Sequence, residues 1–177
     1  MMKVSLRIVE TVINLAIGTL LVVLVVLAMR YYVGNRPLTS KLNLEAGTRI
    51  NLSGVSWREH KQTLLLALSK DCHFCSESAP FYRRLMAEVA ATGNARAIAV
   101  LPNAPSDART YLESVGVNAR EVKQADLGSI GVWGTPTLIL VDGEGRVRRA
   151  WIGELGSRGQ EEVLAAIRTK VHPNGRR

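Results

Sequence analysis

Cys72 and Cys75, separated by two residues, are the only cysteines in the chain, and what flanks them constrains the fold more than any other feature. Upstream, Thr63-Leu64-Leu65-Leu66-Ala67-Leu68 is a short apolar run without Gly or Pro, which predicts a buried strand. Downstream, Phe81, Leu85, Met86, Val89 and Ala90 recur at helical spacing and predict a helix over 75–91. A strand running into C-x-x-C at a helix N-terminus is a redox geometry. Free N–H groups and the helix dipole favour negative charge there, so the first sulfur can persist as a thiolate. The second lies one turn in, placed to close a disulfide or to resolve a mixed one.

Two other uses of such a pair are ordinary buried thiols and half of a zinc site. A structural zinc site takes four ligands, and no second C-x-x-C or H-x₃₋₅-H exists here. His73 lies between the cysteines, whereas His60 and His172 are isolated in sequence. Neither a metal nor a cofactor is therefore expected. The net charge is +8, which raises the question of nucleic acid. The basic residues are scattered, however, and aromatics make up only 5%, without a basic run interleaved with stacking residues. Nucleic-acid binding is not expected; a solvated basic surface near anionic lipid head groups fits better.

Residues 8–29 form an apolar stretch broken only by Glu10, Thr11, Asn14 and Thr19, after a short head carrying Lys3 and Arg7. About 20 such residues match a hydrocarbon layer of ~30 Å, and Arg30, Tyr31 and Tyr32 suit its interface. A cleaved signal peptide is the competing reading, with Val26-Leu27-Ala28 passing as a cleavage site. The length favours a retained single-pass anchor. Basic residues flank both ends, but the short basic head before a long apolar core places the N-terminus inside and the rest outside the cytoplasm. The expected organisation is a head and anchor over 1–33, a linker over 34–43, one domain over 44–172 and a basic tail over 173–177.

Within the domain, alternation around Ile50 and Leu52 predicts a short strand ending at Gly54. Residues 96–101 predict a further strand, followed by a helix from Ser106 or Asp107 to about Val115 and a weak strand over 121–125. Gly134-Thr135-Pro136-Thr137 precedes the apolar run 138–141. Asp142-Gly143-Glu144-Gly145 is a hairpin signal, with 147–152 returning as the partner strand. A closing helix spans 157–171. This order implies an α/β fold, a mixed sheet with helices on both faces.

With that order, and with Cys72-His73-Phe74-Cys75 and Gly134-Thr135-Pro136-Thr137 in sequence, residues 44–171 resemble the thioredoxin superfamily. The nearest likeness is to membrane-anchored, extracytoplasmic thiol–disulfide oxidoreductases, including those serving cytochrome c maturation. The resemblance implies that Pro136 follows a cis peptide bond and faces the cysteines, and that Thr135 offers backbone hydrogen bonds to an extended client. It also implies exchange with client protein disulfides or thiols: Cys72 attacks, Cys75 resolves, and a membrane or soluble redox donor resets the pair. The reducing direction and a periplasmic location follow from the same likeness.

Three positions depart from or modulate the pattern. Asp71 stands where thioredoxin has tryptophan, and an acid beside Cys72 opposes thiolate formation if its charge is close. His73, when charged, favours the thiolate. Leu66 stands where thioredoxin has a buried acid, so proton transfer at Cys75 must use water or another group, with Glu77 a candidate. The alternative function on the same fold is a copper-binding assembly factor. Such proteins carry C-x-x-x-C and a distant histidine, whereas this chain has C-x-x-C and only His172 near its end. A peroxidase-like relative needs T-x-x-C, which is absent around Ser69-Lys70-Asp71-Cys72.

Overall fold

The computed structural model describes residues 14–28 and 44–169. Contacts divide the chain into two units, Met1–Ser40 and Lys41–Arg177. In the first, residues 14–28 form helix α1, whose residues are all exposed. Its one hydroxyl turns inward: Thr19 Oγ1 donates to the carbonyls of Leu15 at 3.1 Å and Ala16 at 2.9 Å. Among the described residues no helix is long and apolar enough to cross a membrane. At ~1.5 Å per residue α1 is about 22 Å long, short of a ~30 Å hydrocarbon layer. The apolar stretch over 8–29 extends past it at both ends; 8–13 and 29 lie outside the described residues, as do the linker 34–43 and the tail 173–177.

The second unit is built on a five-stranded sheet. Its elements are β1 (Gln62–Ala67), α2 (His73–Glu77), α3 (Ala79–Thr92), β2 (Arg96–Leu101), α4 (Pro105–Ser114), β3 (Glu121–Gln124), β4 (Thr137–Asp142), β5 (Val147–Ile152) and α5 (Ser157–Arg168). The strand order is β3-β2-β1-β4-β5. β1–β2 and β2–β3 are parallel, while β1–β4 and β4–β5 are antiparallel, as a mixed sheet requires. β1 is central and entirely buried, which explains why it reads as a continuous apolar run rather than an alternating one.

The expectation of helices on both faces is corrected. Leu64, Leu66 and Leu68 pack with Tyr82, Leu85 and Val89 of α3, Leu112 of α4 and Leu164 and Ile167 of α5 in one cluster. The opposite face, with Leu65, Ile98 and Ile139, is covered instead by Leu44, Ile50, Leu52, Ile130 and Val132. Only two short 3₁₀ turns, Trp57–Glu59 and Gly128–Ile130, lie in the segments covering that side. The reason is topological. β1, β2 and β3 step outward in one direction, and right-handed crossovers then put α3 and α4 on the same side.

Local chemistry sets the breaks. The expected helix over 75–91 is two helices meeting at Ser78, which closes α2 and opens α3. Pro80 has no N–H to offer the Ser76 carbonyl, so a straight helix cannot run through. Gly93, at φ +60°, ends α3 with its N–H on the Val89 carbonyl. The expected strand around Ile50 and Leu52 does not form as a strand. Those two side chains are buried, but the backbone makes only one isolated bridge, Arg49 to Arg146 beside β5.

Trp57 is a packing residue of the hairpin. At Gly145, φ +77°, an added Cβ would meet Trp57 Cδ1 at 2.7 Å and Nε1 at 2.8 Å. Gly145→Ala therefore carries both a left-handed backbone and a steric clash, and is expected to lower stability by about 1–3 kcal/mol in urea unfolding monitored by tryptophan fluorescence. Unchanged stability would show that the β4–β5 turn is not held as described.

Candidate active site

Two strand ends build the site. The β1–β4 register pairs Ala67 with Thr137, so the chain leaving β1 and the chain entering β4 meet at one end of the central strands. The first carries Ser69 to Cys75, the second Gly134 to Pro136. The Thr135–Pro136 peptide is cis. Its surroundings are tied down on both sides: Thr137 Oγ1 donates to the Gly134 carbonyl at 2.7 Å, and the Gly153 N–H donates to the Pro136 carbonyl at 2.7 Å.

Cys72 is the N-cap of α2. Its backbone is extended, at φ −95° and ψ 111°, and its sulfur takes the place a serine oxygen fills in an ordinary cap, accepting the Cys75 N–H at 3.3 Å. The same sulfur donates to the Thr135 carbonyl at 3.3 Å. An N–H directed at a sulfur is a suitable partner when that sulfur carries negative charge in attack or departure. Cys72 is half-buried and Cys75 is 1% exposed, so only the first sulfur is open to a large partner.

The inner thiol is held strongly in its protonated form. Burial pushes Cys75 up to about 12, and a hydrogen bond with Cys72 acts in the same direction. Two phenols lie near the pair. Tyr82 is buried, Tyr111 is half-buried, and both are raised first by desolvation and further by charge on the two cysteines. Tyr111 is tied to the cysteine helix by a 3.4 Å contact between its hydroxyl and Ser76 Oγ.

The structure brings Cys72, Cys75, Thr135 and Pro136 together. It places His73 and Asp71 at the exposed rim. His73 Nε2 lies 3.1 Å from Glu77 Oε1 in an i, i+4 pair on the outer face. Asp71 is exposed, its N–H donating to Ser69 Oγ at 3.4 Å. Phe74 and Trp133, two positions from Cys72 and Thr135 respectively, are also exposed, at 53% and 71%. Sequence reasoning passed over Ser78, Tyr82 and Tyr111. Ser78 and Tyr82 stand three and seven residues after Cys75, a helical spacing that marks one face, and this was the available signal. Among the described residues no group of three or more His, Cys, Asp or Glu side chains is placed to hold a metal ion, and His172 lies outside them.

Neither a family model nor a curated protein sequence matches the chain. Solved structures do. One carries the name thiol:disulfide interchange protein DsbE, from Chlorobium tepidum: TM-score 0.54, 21% identity, covering 72% of this chain and 100% of that one. A thiol-disulfide isomerase from Corynebacterium glutamicum matches with TM-score 0.53 and 16% identity over 73% of this chain and 96% of its own. A second Chlorobium tepidum structure, named a thiol:disulfide interchange protein of the thioredoxin family, gives 0.52 and 16% over 71% and 98%. The second unit therefore has a thioredoxin-like fold.

The Cys75 shift fixes a pH dependence for the reduced protein. Below 9.0, its ordinary value, folded and unfolded chains both keep the proton. Between 9.0 and about 12 the unfolded chain releases it while the folded chain retains it, so stability falls as pH rises through that window. Thermal melts of the reduced protein should show this decline, and Cys75→Ala should show a smaller one, because burial also raises Tyr82 and Tyr111. Parallel curves for the two proteins would contradict the assignment.

Proposed function

We propose that the chain is a membrane-tethered protein thiol–disulfide oxidoreductase working through Cys72 and Cys75. The observation that carries this reading is the Cys72 sulfur held between the Cys75 N–H and the Thr135 carbonyl, each at 3.3 Å, with its partner thiol buried behind it. The Cys72 thiolate attacks a client disulfide, and one client sulfur leaves as a thiolate. Cys75 then attacks the Cys72 sulfur, the second client sulfur departs, and the Cys72–Cys75 bond remains. Two electrons have passed to the client. A separate dithiol donor, membrane-bound or soluble, returns the pair to its reduced form.

The reducing direction is the one we favour. It rests on the resemblance to extracytoplasmic thiol–disulfide oxidoreductases. Thr135 and Pro136 form the backbone ledge on which an extended client segment is aligned, and His73 and Asp71 adjust the charge around Cys72. Tethering rests on the apolar run over 8–29 and on α1 exposing Leu, Ile and Val around its whole circumference, a pattern suited to lipid. The short basic head before that run is the ground for setting the redox unit outside the cytoplasm, on the periplasmic side.

Trapping in cells tests the assignment of roles. A Cys75→Ser variant lacks the resolving thiol and should accumulate mixed disulfides with clients, visible as reducible higher-mass bands. The Cys72→Ser variant should accumulate none. Equal trapping by the two variants would reverse the roles, and no trapping by either would remove the exchange reading.

A further inference from the structure

Resolution requires Cys75 to lose a proton, yet β1 and the residue after it offer only Leu64, Leu66 and Leu68 to the cluster in which Cys75 is buried. No carboxylate faces it from the sheet. Cys72 lies beside it on the cap, and Thr135 reaches it from the loop before β4. Tyr111 approaches from α4 but is tied to Ser76. His73 and Glu77 pair on the exposed side. The groups left on the buried side are hydroxyls.

We propose that Ser78 and Tyr82 form the route by which the Cys75 proton leaves during resolution. Cys75 on α2, Ser78 at the junction and Tyr82 on α3 follow one another at i, i+3 and i+7, and are 1%, 8% and 2% exposed. Long side chains on a helix lean toward its N-terminus, which carries the Tyr82 ring back over Ser78. The Ser78 hydroxyl is buried and has no hydrogen-bond partner, a state that native proteins keep rare. The Tyr82 phenol has that hydroxyl as its polar neighbour, without a hydrogen bond of normal length between them. Ser78 also lines a polar cleft of ≈ 210 Å³ with Glu77, Arg84, Glu154 and Gln160. Ser78 therefore lies three residues from the buried thiol and borders a water-accessible space edged by two carboxylates.

In the step itself the Cys75 S–H bond breaks, the Cys75–Cys72 bond forms, and the client sulfur leaves with the electron pair of its bond to Cys72. The proton passes through the Ser78 and Tyr82 hydroxyls to water in the cleft, and each hydroxyl ends with the number of protons it began with. Burial holds Tyr82 neutral, so it acts as a donor and acceptor in this chain rather than as the final base. Ser78 and Tyr82 are positioning residues, since neither touches the client.

This inference rests on the exchange activity proposed above, and the test separates the two. The reduced full-length chain is mixed in stopped flow with the aromatic disulfide dithiobis(nitrobenzoate). Attack by Cys72 releases a first thionitrobenzoate in a concentration-dependent phase, and attack by Cys75 releases a second in a concentration-independent one. Ser78→Ala is expected to slow the second phase about a hundredfold at neutral pH, the low side of what assisted proton transfer supplies. The deficit should close as pH rises, because hydroxide then takes the proton directly, and Ser78→Thr should restore the rate. Tyr82→Phe, which removes only the hydroxyl, should slow the same phase and serves if Ser78→Ala fails to fold. Wild-type second-phase rates in Ser78→Ala and Tyr82→Phe would overturn the relay, as would a deficit that persists unchanged into alkali. A wild-type chain with no second phase would overturn the exchange reading, and the relay with it.

Discussion

The antiparallel pairing of β1 with β4 is the constraint on which the rest depends. Its register sets Ala67 against Thr137, and by that alone Cys72 and Thr135, 63 residues apart in sequence, become neighbours. A slip of one residue would turn every side chain of one strand to the opposite face and carry Thr135 away from Cys72. The register is strongly specified because both faces of β1 and β4 are buried, with Leu66 opposite Leu138 on the helical side and Leu65 opposite Ile139 on the other. Core packing and site geometry are therefore consequences of the same ladder.

From that ladder follows an asymmetry between two chemically identical groups. Cys72, at the cap, lies where the chain emerges from the sheet, half-buried with a donor on one side of its sulfur and an acceptor on the other. Cys75, three residues on, faces inward among the leucines of β1. Burial raises the proton affinity of the second while leaving the first open to a partner. In the exchange proposed above, this difference in burial decides which sulfur a client meets first.

Much of this was legible in the sequence. The strands at 96–101 and 147–152 have the bounds that periodicity and the Asp142-Gly143-Glu144-Gly145 turn predict, since local chemistry sets them. Other features depend on pairing that sequence pattern does not encode. Ile50 and Leu52 alternate with exposed Arg49, Asn51 and Ser53 as a strand would, yet one bridge to Arg146 is all the backbone finds. The one-sided placement of α3, α4 and α5 follows from strand order, which only the fold supplies. Pro80 signalled the break at Ser78, but the long apolar spacing around it suggested one helix. At the site, Cys72 and Cys75 stood out by rarity, whereas Thr135 drew attention only through resemblance. Ser78 and Tyr82 were hidden because a serine and a tyrosine on an amphipathic helix look ordinary until their burial is seen.

The central claim is that the two sulfurs interconvert between dithiol and disulfide inside an otherwise unchanged fold. Equilibration of the full-length chain across glutathione redox buffers, with intact mass and circular dichroism read at each point, tests this most directly. A single two-electron transition to an intramolecular disulfide, with secondary structure preserved, is the predicted result. A chain that forms only glutathione adducts or inter-chain dimers, or that unfolds when the bond closes, would contradict it.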